Sequence, residues 1–241
     1  MDRWFRHVWS STRLSGPVFW SHVCSLCRER CLGRDLCQRC QAQVNESASR
    51  CSRCGLAGFS PTNCPDCAYT EFSFDQTVAG FCHKDHGRAL VKQFKFDRRR
   101  SVGRVVSSLL LDAITQSDYV EWPEVIIPVP AHPLSRLVRG FSPVDDIAHD
   151  LSKALRIPVV QPFQAAYQRR PQRELSKSER FSQVSKKYTS RELSNLGWRY
   201  VVLVDDVMTT GATLSALSDQ LRVLNVQKIH CWVASRTPFV E

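Results

Sequence analysis

Val201-Val202-Leu203-Val204-Asp205-Asp206-Val207-Met208-Thr209-Thr210-Gly211-Ala212-Thr213 is the stretch whose reading decides the fold. A β-branched, apolar run predicts a buried strand. Its carboxyl end carries two adjacent acids. A short Thr/Gly/Ala loop follows, and then a helical pattern from Leu214. Backbone N–H groups in such a loop, with the next helix N-terminus, form a nest for an anion. Carboxylates beside a phosphate nest suit a sugar phosphate: the acids accept from ribose hydroxyls while the loop takes the phosphate. The plain alternative is a strand, a turn and a helix cap that happen to be polar. Acids at a strand end are common, but acids followed at once by Thr209, Thr210, Gly211 and Thr213 are not.

The order of these parts resembles the phosphoribosyl-pyrophosphate (PRPP) motif of type I phosphoribosyltransferases, in which two acids precede a Thr-Thr-Gly-x-Thr loop.

Outward from that stretch, strands and helices alternate. Thr77 to His83 reads as a strand, and Gly87 to Phe96 and Val102 to Ile114 as helices. Glu124 to Val129 is a short apolar strand. Pro143 to Leu155 is a helix with proline at its start, and Ile157 to Val160 a strand. Arg199 to Val204 is the central strand, followed by a helix over Ala212 to Leu224 and a strand over Lys228 to Ser235. Alternation of this kind predicts an α/β fold, with a mostly parallel sheet flanked by helices. Ligands of such sheets sit beyond the carboxyl ends of the strands. Asp205, Asp206 and the Pro128-Val129-Pro130 turn fall there.

The 241 residues, 43% hydrophobic, have room for one full domain and a small one. Residues 1–20 contain Arg3, Arg6 and Arg13, and polar residues interrupt their apolar positions; they read as a tail or packing arm. No stretch approaches the roughly 18 apolar residues of a membrane helix. The expected compartment is cytoplasmic.

Of 11 cysteines, nine fall between residues 24 and 67, and eight form C-x-x-C pairs. These are Cys24/Cys27, Cys37/Cys40, Cys51/Cys54 and Cys64/Cys67. The unit C-x2-C-x9-C-x2-C occurs twice. Thiolates on two tight turns satisfy tetrahedral zinc, and a metal replaces the core that so short a segment cannot build. The repeat favours sequential pairing, with one Zn2+ per unit. A cross-braced arrangement, a disulfide framework and a single surviving site are the alternatives. Cys31 reads as a spare thiol, Cys82 and Cys231 as small apolar strand residues, and His22 as a reserve ligand. The expected organisation is a tail over 1–20, a Cys-rich zinc module over 21–70 and the sheet domain over 71–241.

The net charge is +10 and the isoelectric point about 9.2. Residues 84–104 and 169–191 each hold eight basic against two acidic residues, so together they exceed the charge of the whole chain. Arg136 and Arg139 add cations after the Pro-Val-Pro turn. A solvated face is the ordinary meaning of such runs. Bracketing a phosphate loop, they suit a pyrophosphate, which arginine grips in bidentate fashion.

Gln93-Phe94-Lys95-Phe96-Asp97, Val129-Pro130-Ala131-His132-Pro133, Arg136-Leu137-Val138-Arg139-Gly140-Phe141 and Arg170-Pro171-Gln172-Arg173-Glu174-Leu175-Ser176 follow the cysteine pairs in that order. With the acid-acid-Thr-Thr-Gly loop they resemble the ComF/GntX family from about Cys24 onward. The resemblance implies a phosphoribosyltransferase-like domain behind a zinc finger, and a link to DNA uptake in natural transformation or to DNA utilisation. It implies PRPP bound with Mg2+. Asp205 and Asp206 would act at the ribose as catalytic residues. Thr209, Thr210, Gly211, Ala212 and Thr213 would cradle the 5′-phosphate. Arg136, Arg139 and the 169–180 segment would meet pyrophosphate. This chain departs from the family pattern at Ser142-Pro143, where Asn-Gln is usual, and at Gln183, where Asn is usual. No acceptor pocket can be named, so pentosyl transfer and binding without turnover both stay open. The alternative is a non-catalytic protein that binds single-stranded DNA, or DNA-uptake proteins, through basic runs interleaved with Phe94, Phe96, Tyr167, Phe181 and Tyr188.

Overall fold

A computed structural model of the chain describes residues 22–45, 49–96, 99–117, 121–131, 133–165, 188–190 and 197–239. The 1–20 tail, the 169–180 segment and Gln183 lie outside the described residues. In chain order the elements begin with β1 (His22–Val23), β2 (Arg30–Cys31), α1 (Gln38–Val44) and α2 (Pro65–Tyr69). Then come β3 (Gln76–Cys82), α3 (Asp85–Phe96), α4 (Arg100–Thr115), β4 (Val125–Pro128), α5 (Pro133–Arg139) and α6 (Pro143–Leu155). The chain continues with β5 (Phe163–Ala165), β6 (Tyr188–Ser190), β7 (Tyr200–Met208), α7 (Ala212–Val223) and β8 (Lys228–Arg236).

The central sheet is β3-β8-β7-β4, parallel at every pairing. Each strand is an apolar run because both faces are covered. Period-two alternation divides the runs cleanly. Val202, Val204, Trp232 and Ala234 join α3, α4 and α6 in one core. Val201, Leu203, Cys231 and Val233 join α7, Phe72 and Phe74 in the other. At about 1.5–3 kcal/mol per fully buried aliphatic or aromatic side chain, these two layers dominate the stability.

The α/β class expected from the sequence is the class observed: a parallel sheet flanked by helices, with a Cys-rich segment ahead of it. Details differ. β7 runs on to Met208, because its pairing with β8 continues to Met208 opposite Arg236; the two acids therefore lie within the strand. The expected strand over Ile157 to Val160 contracts to one parallel bridge, Val159 with Ile126. Pro158 interrupts that run because it has no N–H to donate to a ladder. Helix α5 and the antiparallel pair β5–β6 were not foreseen.

The cysteine units are built into both cores. Cys24 and Cys40 of the first, with Leu36 and Val44, are buried against the α3/α4 side. Cys51, Cys54 and Cys64 of the second are buried on the α7 side. Arg34 fastens the first unit to α4 through Asp112 at 2.8 Å. The second docks on the outer edge of β3, where the Thr77 N–H donates to the Ser52 carbonyl at 2.8 Å.

Candidate functional site

β4 ends at Pro128, opposite Val204 of β7, and the Val129 N–H donates to the Val204 carbonyl at 2.8 Å. This register sets the Pro-Val-Pro turn beside Asp205 and Asp206. There a cleft of about 220 Å³ opens, lined by Lys95, Val129, Pro130, Arg139, Asp205, Asp206 and Thr213 among others. Both carboxylates are half-buried. Strand alternation sends Asp206 toward the α3 side and Asp205 toward the α7 side, so the pair straddles the end of the sheet. Asp206 meets the Lys95 ammonium at 2.8 Å. One oxygen of Asp205 accepts the Asp206 N–H at 2.8 Å.

The loop after β7 turns into α7 at Gly211. Gly211 has φ 75°, a left-handed backbone that favours glycine. An added Cβ would also stand 2.8 Å from the side chains of Met208 and Phe72. α7 starts at Ala212 with Gly211 at its N-cap, which has no side chain to cap it; the Thr210 hydroxyl accepts from the Ala212 N–H at 3.4 Å. Thr209 and Thr210 are exposed, Ala212 is buried and Thr213 faces the cleft.

The two arginines expected at the pyrophosphate separate. Arg139 lines the cleft, its guanidinium 5.3 Å from the centre of the Phe96 ring. Arg136 lines a neighbouring hollow of about 370 Å³ with Gln161 and Gln164, and stands 3.9 Å from Asp145. Ser142 caps α6 and Pro143 begins it. The Ser142 hydroxyl accepts from the Asp145 N–H at 3.3 Å, and Pro143 occupies the first turn, where its missing N–H costs nothing.

Lys95 is the site residue that sequence reasoning missed. In the sequence Lys95 is one of eight basic residues over 84–104, and no neighbouring residue marks it out for the cleft. The positive field around the cleft also acts on His83. Burial, then Lys95 and Arg88, hold its imidazole below the usual histidine range. His83 Nδ1 lies 3.0 Å from the Ser235 hydroxyl, which donates to the Asp206 carbonyl at 3.1 Å.

The eight paired cysteines form two groups, Cys24/Cys27/Cys37/Cys40 and Cys51/Cys54/Cys64/Cys67, with all sulfurs of a group within 4.8 Å of one another. Pairing is therefore sequential. All eight are free thiols. The spacings are 3.7 Å for Cys27–Cys37, 3.6 Å for Cys51–Cys67 and 3.4 Å for Cys54–Cys64. A tetrahedral site with Zn–S of about 2.3 Å has sulfurs about 3.8 Å apart, so both groups fit zinc. The electrostatics agree. Burial raises the Cys24 thiol, but the Cys37, Cys27 and Leu26 N–H groups outweigh it and bring it down to about 6. Burial and adjacent thiols push Cys40 and Cys54 up, and Cys67 to about 12. Four thiolates can share each space only around a cation. Cys31 stays outside, donating to the Arg34 carbonyl at 3.2 Å. His22 pairs with Asp35 at 2.7 Å instead of joining a group. Cys231 is buried within β8.

No helix among the described residues is long and apolar enough to cross a membrane. No family model matches the chain. Among solved structures, glutamine phosphoribosylpyrophosphate amidotransferase from B. subtilis gives a TM-score of 0.41 at 19% identity, over 60% of this chain and 30% of that one. The chain is 28% identical over 233 residues to the DNA utilization protein YhgH of Escherichia coli O157:H7, covering 89% of this chain and 97% of that protein. It is 31% identical over 210 residues to Competence protein F of Haemophilus influenzae, covering 83% of this chain and 90% of that protein. At that identity and coverage, with the cysteine groups and the acid-and-loop site in place, the chain belongs to the competence protein F (ComF) family.

Proposed function

We propose that the chain is a phosphoribosyltransferase-like protein that binds PRPP with Mg2+ in the cleft beyond β4 and β7, and that it serves DNA uptake or DNA utilisation in the cytoplasm. The observation that carries this reading is the cleft itself. It gathers two carboxylates, two cations and the first turn of a helix behind a Thr-Thr-Gly loop. Asp205 and Asp206 bind the ribose hydroxyls, directly or through metal-bound water. Residues 209–213 hold the 5′-phosphate through backbone N–H groups and hydroxyls. Arg139 and Lys95 face the pyrophosphate, and Arg136 flanks them from the next hollow. The two carboxylates are hard oxygen donors of the kind Mg2+ takes while keeping most of its waters. A bound Mg2+ would supply charge neutralisation for a leaving pyrophosphate. If pentosyl transfer occurs, charge builds at C1 as that bond loosens, and the Asp pair is placed to stabilise it. Within this reading residues 21–70 are the metal-stapled module and 71–241 the phosphoribosyltransferase-like domain.

The test is calorimetry with PRPP and Mg2+, followed by a screen for pyrophosphate release. Asp205→Asn combined with Asp206→Asn is expected to weaken PRPP by a hundredfold or more, on the order of 3 kcal/mol, with the thermal midpoint kept. Equal affinity in the double variant sinks the assignment.

One observation favours a second reading, a module for single-stranded DNA or for DNA-uptake proteins. Phe96 is 62% exposed beside Arg139, whereas Phe94 is buried against Phe141. An exposed ring with a cation suits base stacking. Oligonucleotide affinity that falls steeply with salt, without PRPP binding, selects this reading over the first.

A further inference from the structure

Arg236, the last residue of β8, is 2% exposed. Its guanidinium joins two parts of the molecule. On one side Nε donates to the Cys54 carbonyl at 3.0 Å, and Nη2 donates to the Asp66 carboxylate. Cys54 belongs to the second cysteine group, and Asp66 lies between its Cys64 and Cys67. On the other side Nη1 donates to the Met208 carbonyl at 3.3 Å and to the Thr209 carbonyl, the last peptide groups before Thr210 and Gly211. Nη1 also reaches the Thr237 carbonyl at 3.2 Å and its hydroxyl at 3.0 Å. The Thr237 N–H donates to Met208 at 3.0 Å. A buried arginine is tolerated only when its donors are met and a counter-charge stands by. Here the acceptors come from the metal knuckle, from the loop and from Thr237, and the counter-charge, Asp66, comes from the knuckle.

We propose that Arg236 is a positioning residue for the phosphate loop, and that the second cysteine group, when it holds its metal, fixes the loop through it. The metal knuckle fixes the Cys54 carbonyl and Asp66. These orient the guanidinium, which in turn fixes the Met208 and Thr209 carbonyls and so the direction of the N–H groups that follow. Among the described residues no such path leads from the first cysteine group. It is packed in the opposite core and fastened to α4 through Arg34. The two metals thus have different duties: the first secures a helix face, the second sets the ligand loop. The identity of the ligand rests on the PRPP reading above; the link between knuckle and loop does not.

The test is amide hydrogen exchange on the zinc-loaded full-length chain, with PRPP calorimetry in parallel. Arg236→Lys and Cys67→Ser are expected to speed exchange over residues 209–217 and at Thr237 by about tenfold or more. Cys27→Ser, which disturbs the first group, is expected to leave those amides as they are. Should Arg236→Lys fail to fold, Asp66→Asn removes the charged acceptor from the far side and is expected to act like it. Unchanged exchange in Arg236→Lys or Asp66→Asn overturns the proposal, and so does an equal rise in Cys27→Ser. Absence of PRPP binding by the unaltered protein overturns the proposed ligand. The exchange comparison, which needs no ligand, still decides the role of Arg236.

Discussion

Lys95 shows at the scale of one residue what charge in this sequence can and cannot reveal. Its helix buries Gly87, Leu90, Val91 and Phe94, so Lys95 rides the edge of the buried face and reaches across to Asp206 at 2.8 Å. Both side chains are largely shielded, 19% and 13% exposed, which sets this pair apart from the surface ion pairs that contribute little. If Lys95 meets pyrophosphate, Lys95→Met should weaken PRPP by about ten- to a hundredfold, the range for a lost hydrogen bond to a charged group. Calorimetry of the variant checks it, and an affinity within twofold of the unaltered protein removes Lys95 from the site. The acids and the Thr-Thr-Gly loop were legible because each is read from neighbouring residues. Lys95 was not, because its partner is 111 residues away and eight basic residues of one segment look alike until α3 has a phase. Arg136 and Arg139 illustrate the same limit: three positions apart on one short helix, one lines the cleft and the other pairs with Asp145.

Between elements, the β7–β8 pairing carries a pH-dependent contact. His230 is 4% exposed, with Nδ1 2.8 Å from the Tyr200 hydroxyl. Burial, and then the charge of Lys228, bring its imidazole from 6.5 down to about 4. The folded chain therefore keeps the ring neutral where the unfolded chain already binds a proton. Stability from this group is full above about pH 6.5, falls as the pH drops toward 4, and levels off below it. At pH 5 the loss relative to neutral pH is roughly 2 kcal/mol. Urea unfolding at pH 7.5 and pH 5 should show His230→Gln losing less than the unaltered chain by about that amount; equal losses exclude His230 as a source. The element pattern itself was largely legible. α6 lies where the proline start and apolar period put it, over Pro143–Leu155. What escaped were features set by a partner strand: the extension of β7, the shrinkage around Val159, and the β5–β6 pair, whose arms are three residues each.

Across the whole molecule the cysteine groups belong to the cores. Cys24 and Cys40 are covered on one side of the sheet, and Cys51, Cys54 and Cys64 on the other. Elemental analysis should find two zinc ions per chain. Stripping them with a chelator should lower the thermal midpoint by about 10 °C or more, since the binding energy of a structural zinc is folding energy. Scanning calorimetry measures it, and an unchanged midpoint with the metal gone shows the groups are not structural. The sequence by itself determined the alternation of strands and helices, the doubled cysteine unit and the acid-and-loop signature. All three depend on spacing along the chain, through a period of two or 3.6 residues, a two-residue thiolate turn or a tight loop. Only the tertiary structure decided that each cysteine group closes within its own repeat, that Lys95 meets Asp206, and that Arg236 ties the second knuckle to the Thr-Thr-Gly loop. Those contacts join residues up to 182 positions apart. They exist because parallel pairing stacks distant strands side by side and buries polar groups that must then find partners there.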